Sequence, residues 1–321
     1  FTQDQAFLPA TINGPSPALP SNDLDGEVAT TDMKLKYSGR LARGLSVRAR
    51  YDYSDRDNKT TVASYPQVIT DSYYAGTAVN PEYDRTKQVF DAGAKYRFNR
   101  SVYIDGGYRY DHNDYSDLDR DSLQQNSLYA KLNYRISPAW SAWIKAEVSD
   151  RTGSAYKAVT TTSSPSNPYL RKSYLADRKR QEYKLNVAYS GSDSFTASAN
   201  LRASVDDYND TQVGLTRVDS QGYDISATYM VSENFNINAY LNQDWRDSEQ
   251  AGSSNFGLAN WYANIDEQST LVGAGLDYQN LMDSKLNLGL DYSYSDGQSD
   301  TDIIQGITSP YGNYFSEKHN I

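Results

Sequence analysis

Apolar residues recur at every second position in this chain, in segments about ten residues long, and polar or charged residues fill the places between them. Met33, Leu35 and Tyr37, for example, alternate with Asp32, Lys34, Lys36 and Ser38. A period of two describes an extended strand with two unlike faces, because successive side chains point to opposite sides of the backbone. It excludes amphipathic helices, whose apolar stripe would recur every three or four residues. No run approaches the ~18 consecutive apolar residues that a membrane helix needs.

The segments come in pairs. The Met33 segment turns at Arg43 and Gly44 into Leu45, Val47, Ala49, Tyr51 and Tyr53, and a polar stretch then runs to about Thr86. Phe90, Ala92, Ala94, Tyr96 and Phe98 turn at Asn99 into Val102, Ile104, Gly106, Tyr108 and Tyr110. Residues 128–136 turn at Ser137 and Pro138 into 140–148, residues 183–189 turn near Gly191 into 195–205, and residues 223–231 turn at 232–234 into 235–241. A sixth hairpin joins 270–278 to 286–294. The result is about twelve strands of roughly ten residues, with short turns and long polar loops alternating. Ten residues at about 3.3 Å each, tilted by about 40°, rise roughly 25 Å, the height of the apolar band of an outer-membrane barrel. A soluble sandwich has no reason to keep its short connections on one side and its long ones on the other. The pattern predicts an all-β fold, a transmembrane antiparallel up-and-down β-barrel of the large type found in the outer membrane of Gram-negative bacteria, with its outer face in lipid.

Tyrosine sharpens this reading. Tyr37, Tyr96, Tyr134, Tyr189, Tyr229 and Tyr278 read as one interfacial girdle, each on the apolar face of the first strand of its hairpin and within about three residues of a short turn. Tyr51, Tyr53, Tyr108, Tyr110, Trp245, Tyr292 and Tyr294 read as the second girdle, near the long loops. The ordinary strand preference of tyrosine accounts for its presence in strands but not for its clustering at their ends. Residues 1–321 read as a single barrel domain, and as an incomplete one. The first strand enters from the long-loop side and a thirteenth is expected to begin near His319, so strands are expected before residue 1 and after residue 321.

The chain has no Cys and two His, which removes disulfides, thiolate metal sites, Cys nucleophiles and Cys-x-x-Cys-His haem attachment. No phosphate loop, nucleophile elbow or His–carboxylate pair stands out, so no catalytic, cofactor-binding or metal-ligating residue is assigned and the chain reads as a non-enzyme. A formal net charge of -10 argues against nucleic acid as a partner. Asp111, Asp114, Asp117, Asp119 and Asp121 offer clustered oxygens to Ca²⁺, but without the Gly and the closing Glu of an EF-hand loop; a solvated acidic loop is the plainer reading.

The faces opposite the apolar ones carry the charge. Lys36, Arg48, Arg97, Arg109, Lys131, Arg135 and Lys145 are the candidate contacts for whatever occupies the lumen. The inner face is mostly basic through the first eight strands, then turns acidic or neutral with Asp224, Asp244, Asp277 and Asp291. A water-filled pore would account for a polar lumen, and so would a protein plug docked by hydrogen bonds and ion pairs.

Two segments go further than the pattern. The run Leu24, Asp25, Gly26, Glu27, Val28, Ala29, Thr30, Thr31 and the strand end Tyr51, Asp52, Tyr53, Ser54, Asp55, Arg56, Asp57, Asn58 resemble the MtrB/PioB family of decahaem-associated outer-membrane proteins. The loop ending at Tyr83, Asp84 and Arg85 and the Tyr-rich hairpins are similar too, so the resemblance covers essentially the whole chain, as an internal and C-terminal part of the family's barrel. Family members often carry a Cys-x-x-Cys near the N-terminus, and this chain has no Cys. The resemblance implies a sheath, a wide barrel that encloses a periplasmic decahaem c-type cytochrome and meets an extracellular multihaem cytochrome at the loop face. Its role would be extracellular electron transfer of the metal-reducing kind, with every haem in the partners. A general or solute-specific diffusion porin is the alternative.

Overall fold

The structure is a computed structural model that describes residues 2–3, 6, 18–69, 72–157, 167–304 and 314–320. Strands dominate it: β1 (Thr2–Gln3), β2 (Gly26–Ala42), β3 (Leu45–Asn58), β4 (Ser64–Ile69), β5 (Ser72–Val79), β6 (Arg85–Arg97), β7 (Val102–Tyr115), β8 (Ser122–Arg135) and β9 (Trp140–Gly153). There follow β10 (Leu170–Arg171), β11 (Arg178–Ser192), β12 (Phe195–Asp207), β13 (Val213–Ser232), β14 (Phe235–Gly252), β15 (Trp261–Asn280), the short helix α1 (Leu281–Ser284), β16 (Leu286–Ile304) and β17 (Tyr314–Asn320).

One sheet holds them in the order β1-β2-β3-β6-β7-β8-β9-β11-β12-β13-β14-β15-β16-β17, with β10 alongside β13. Each long strand pairs antiparallel with its neighbour in sequence, which is the up-and-down layout the alternation predicts. Between β3 and β6 the chain makes a separate hairpin, β4–β5, inside what reads from sequence as one polar loop. β17 pairs along β16 from Tyr314 opposite Thr301, so the thirteenth strand starts earlier than His319. Among the described residues the two ends of the sheet do not pair with each other.

The fold is built inside out. Outward side chains of the apolar band are open, Leu35 at 58% and Leu290 at 66% exposure, as lipid-facing residues must be. From β3 to β15 the backbone is instead paired with a neighbouring strand on both sides, which is the condition for crossing hydrocarbon with strands. The no-Cβ cradle of Gly39 accepts Tyr37: a methyl group built there would stand 2.6 Å from the phenolic oxygen, so the ring lies back along its own strand.

Strands are longer than the ten residues read from the alternation. β6 and β12 have 13 residues, and β13 and β15 have 20. Twenty residues tilted as above rise roughly 50 Å, about twice the apolar band. The extra length lies on the long-loop side, where both faces are wet. There the outer face needs no apolar residue, so the period disappears from the sequence while the backbone ladder continues, as in Asp219 opposite Asp247 and Asp247 opposite Asp266.

Candidate functional site on the inner wall

Register carries the candidate residues to one surface. Lys95, Asp105, Lys131, Lys145, Lys184 and Arg202 form a continuous lateral row on the inner face, passing from β6 to β12. One step toward the loops, Ser38, Arg48, Gly93, Gly107, Tyr129, Glu147 and Glu182 form the next. Lys36, Arg50, Asp91, Arg109 and Ser127 form a third. Of the seven lumen candidates, Lys36, Arg48, Arg109 and Lys145 thus line one stretch of wall at mid-height, and their side chains border a common groove of about 590 Å³ with Asp91, Tyr129 and Glu147. Lys131 stands beside Lys145 in the same row but outside the groove, and Arg97 and Arg135 stand beside the short turns.

Most mid-height cations are neutralised within the wall, Lys36 standing outside the ion pairs found among the described residues. Arg48 donates from both Nη atoms to Asp105, at 2.7 and 2.9 Å, and also to the Tyr129 hydroxyl. Arg50 pairs with Asp52 at 2.6 Å, Arg109 with Asp111 at 2.7 Å, Lys145 with Glu147 at 2.6 Å and Lys184 with Glu182 at 2.9 Å. Arg202 binds Asp224 and Asp244. The sequence reading of a mostly basic first half leaves these pairings undescribed. Four of these pairs join residues two apart on one strand, whereas register brings Asp105 to Arg48 and Asp224 and Asp244 to Arg202. Inward aromatics were missed as well: Tyr103, Tyr129 and Trp143 sit on the polar positions of the alternation, and that break in phase is the signal that could have found them.

The tyrosines follow the lower rim. Trp140 and Tyr189 meet at 4.8 Å between ring centroids, Tyr189 and Phe195 at 5.8 Å, Phe235 and Tyr278 at 5.7 Å, and Tyr96 meets Phe98 edge to face at 4.9 Å. Tyr229 pairs with Phe195 across the ladder, and Tyr134 with Val102. Tyr37 departs from this rim, because it precedes the Arg43–Gly44 turn by six positions. At the other edge of the band, Tyr51 bonds Gln88 at 3.1 Å, Tyr108 bonds Asn126, and Tyr223 packs on Trp245 at 5.9 Å. Tyr292 and Tyr294 mark that edge well inside β16, which runs on to Ile304.

At the loop end a shelf folds over the wall. Ala176, 1% exposed, packs with Tyr208 and Val218, and Val218 lies opposite the inward-facing Asp206. β10 pairs in parallel with Val213 and Gly214 of β13. Arg120, 3% exposed, donates to the carbonyls of Leu175 at 2.9 Å and Ser154 at 2.6 Å and to Asp177 at 2.6 Å. Arg151 donates to the carbonyls of Ala176 at 2.9 Å and Ser173 at 2.5 Å. Lys172 pairs with Asp119 at 2.9 Å, which holds its ammonium above the ordinary range, and burial beneath Arg120 and Arg171 pushes the Tyr156 phenol up. The acidic run of β7 and its turn is drawn apart by these contacts. Asp111 goes to Arg109, Asp114 to His112, Asp119 to Lys172 and Asp121 to Lys157. Among the described residues no three such groups converge as a metal site would need.

The family model for the outer membrane beta-barrel porin MtrB/PioB matches residues 1–321. The chain belongs to the MtrB/PioB family. It is 37% identical over 321 residues to Outer membrane protein MtrB of Shewanella baltica (strain OS185), covering all of this chain and 46% of that protein. The chain thus spans less than half the length of this MtrB relative. Among solved structures, the FrpB iron transporter of Neisseria meningitidis aligns with a TM-score of 0.52 at 14% identity, over 87% of this chain and 51% of that one. That likeness is one of fold. Family and fold together place this MtrB/PioB chain in the outer membrane as an integral β-barrel.

Proposed function

We propose that the protein is the sheath of an electron conduit, a barrel that holds a multihaem c-type cytochrome across the outer membrane and docks an extracellular multihaem cytochrome at its loop face. Membership of the MtrB/PioB family carries this reading, and the inner wall supports it. Most of its mid-height charges are held in pairs, giving a firm polar surface against which a protein can seat while stripping water from few lone ions.

The chain's own residues fit a sheath rather than a redox carrier. It has no Cys and two His, of which His112 binds Asp114, so it offers no c-type haem attachment. The haems of the occupant carry the electrons. The wall keeps lipid away from them, because its ladder satisfies the backbone inside hydrocarbon. A diffusion porin is the second reading, favoured by the porin description of the family. Purification of the full-length protein from its native host separates the two. Haem absorbance and a co-migrating cytochrome are expected, with low ion conductance in planar bilayers while the occupant is bound. A haem-free preparation that conducts freely would overturn the proposal in favour of the porin.

A further inference from the structure

Five cations at the short-turn end of the wall form a cluster unlike the paired cations of mid-height. Lys95, Arg97, Arg100, Lys131 and Arg135 make no ion pair with any carboxylate among the described residues. They lie on β6 and β8, the two strands that flank β7, and on the turn between β6 and β7, within two register steps of each other, and adjacent strands are about 4.8 Å apart. The nearest carboxylate in register, Asp105 between Lys95 and Lys131, is already held by both arms of Arg48. The two lysines rest on aromatic faces instead, Lys95 at 3.8 Å from the Tyr103 ring and Lys131 at 3.9 Å from Trp143. The three arginines border a groove of about 550 Å³ with Asn133, Ser141 and Trp143.

Like charges this close destabilise the empty wall, and the chain as a whole is acidic, with a formal net charge of -10. Higher on the same face Arg48, Arg50, Arg109, Lys145, Lys184 and Arg202 each have an Asp or Glu. Here the neutralising charge is missing from the wall, and guanidinium forks are the groups best shaped to take carboxylates two oxygens at a time. We propose that this cluster is an anion-binding patch that grips a carboxylate-rich stretch of polypeptide on the lumen's occupant, just inside the short-turn rim. Lipid phosphates are the less suited source, because the patch is on the inner face while the lipid-facing positions of the same strands are Tyr96, Ile104, Leu132 and Ile144.

The proposal deepens the sheath reading, which supplies a protein as the occupant, but its test does not depend on haem. The probe is poly-L-glutamate, added to the full-length barrel freed of its occupant by high salt and reconstituted in nanodiscs. Replacing Arg97→Gln, Arg100→Gln and Arg135→Gln together should weaken poly-L-glutamate binding at least tenfold, while Lys34→Gln with Lys87→Gln, both nearer the long loops, changes it less than threefold. Equal losses in both variants would show a diffuse charge effect and overturn the patch, as would unchanged binding in the triple variant. Equal loss of inorganic pyrophosphate and poly-L-glutamate would overturn the carboxylate assignment in favour of phosphate. Heat-modifiable migration of each variant on gels reports that the barrel has folded. If the wild type binds the polymer as expected but co-purifies with a haem-free acidic protein, the cytochrome reading fails and the patch stands. If a cytochrome co-purifies and the triple variant releases it at the same salt concentration as wild type, the patch fails alone.

Discussion

Arg48 on β3 grips Asp105 on β7 across the whole width of β6, and Gly93 on that middle strand is what lets it pass. A methyl group built on Gly93 would stand 3.0 Å from the guanidinium carbon. Gly93→Ala should therefore cost about 1 kcal/mol more when Arg48 is present than in an Arg48→Ala background, the coupling expected of groups in direct contact. Arg48 is 40% exposed, so Asp105→Ala alone should cost only about 1 kcal/mol. Thermal unfolding of the four variants in detergent measures this, and strict additivity of Gly93→Ala with Arg48→Ala would refute it.

Arg120 fastens the shelf from beneath, with three acceptors spread over Ser154, Leu175 and Asp177. Arg120→Ala leaves two carbonyls and a carboxylate without their shared donor in a buried place, at a cost of about 2–3 kcal/mol. The expected result on intact cells is faster proteolysis within residues 167–177, with the barrel still migrating as a folded species. Unaltered protection would show that the other contacts suffice.

The same shelf has an alkaline limit. Lys172 and Tyr156 both have folded-state pKa values raised above their ordinary ones, by Asp119 and by burial respectively. A group of raised pKa stabilises the fold below its unfolded value and ceases to do so as pH climbs through the folded one. The shelf should hold through neutral pH and loosen only above about pH 10. A spin label on Ser173→Cys follows this directly, and mobilisation between pH 5 and 8 would contradict it.

Inside and outside can be tested with the same substitution. Ile144 is 51% exposed on the lipid-facing side, and Ile144→Arg should cost about 2–4 kcal/mol, as arginine does near the midplane of a barrel's outer face. Ser269→Arg, on the inner face in register with Asp244, should change stability by less than about 1 kcal/mol. Urea titrations in lipid vesicles compare them, and similar penalties would mean that the two faces are not solvated as described.

Legibility in the sequence followed the solvent. Where one face meets lipid and the other water, the period of two is enforced, and strands such as 128–136 and 183–189 could be read residue by residue. Beyond the band both faces are wet, so the upper halves of β13 to β16 and the β4–β5 hairpin carried no signal. The seven lumen candidates could be placed on the inner face for the same reason, and so could partners two residues away such as Asp111 and Glu147, but partners on other strands could not. Asp105 lies 57 positions from Arg48, and only strand register brings it there. Arg120 sits in a turn between an acidic run and a polar strand, with nothing in its neighbours to mark it as buried.

One lateral row on the outer face begins at Leu45 and passes through Tyr96, Ile104, Leu132, Ile144, Leu185, Leu201, Tyr223, Gln243 and Thr270 to Asp296. It starts in oil and finishes in water, like a stair climbing out of a pool. A strand that slipped by two residues would keep its inside and outside correct, yet would shift its side chains by roughly 5 Å in depth. Bilayer thickness therefore acts as a ruler during assembly, rejecting the one misalignment that alternation alone would let through.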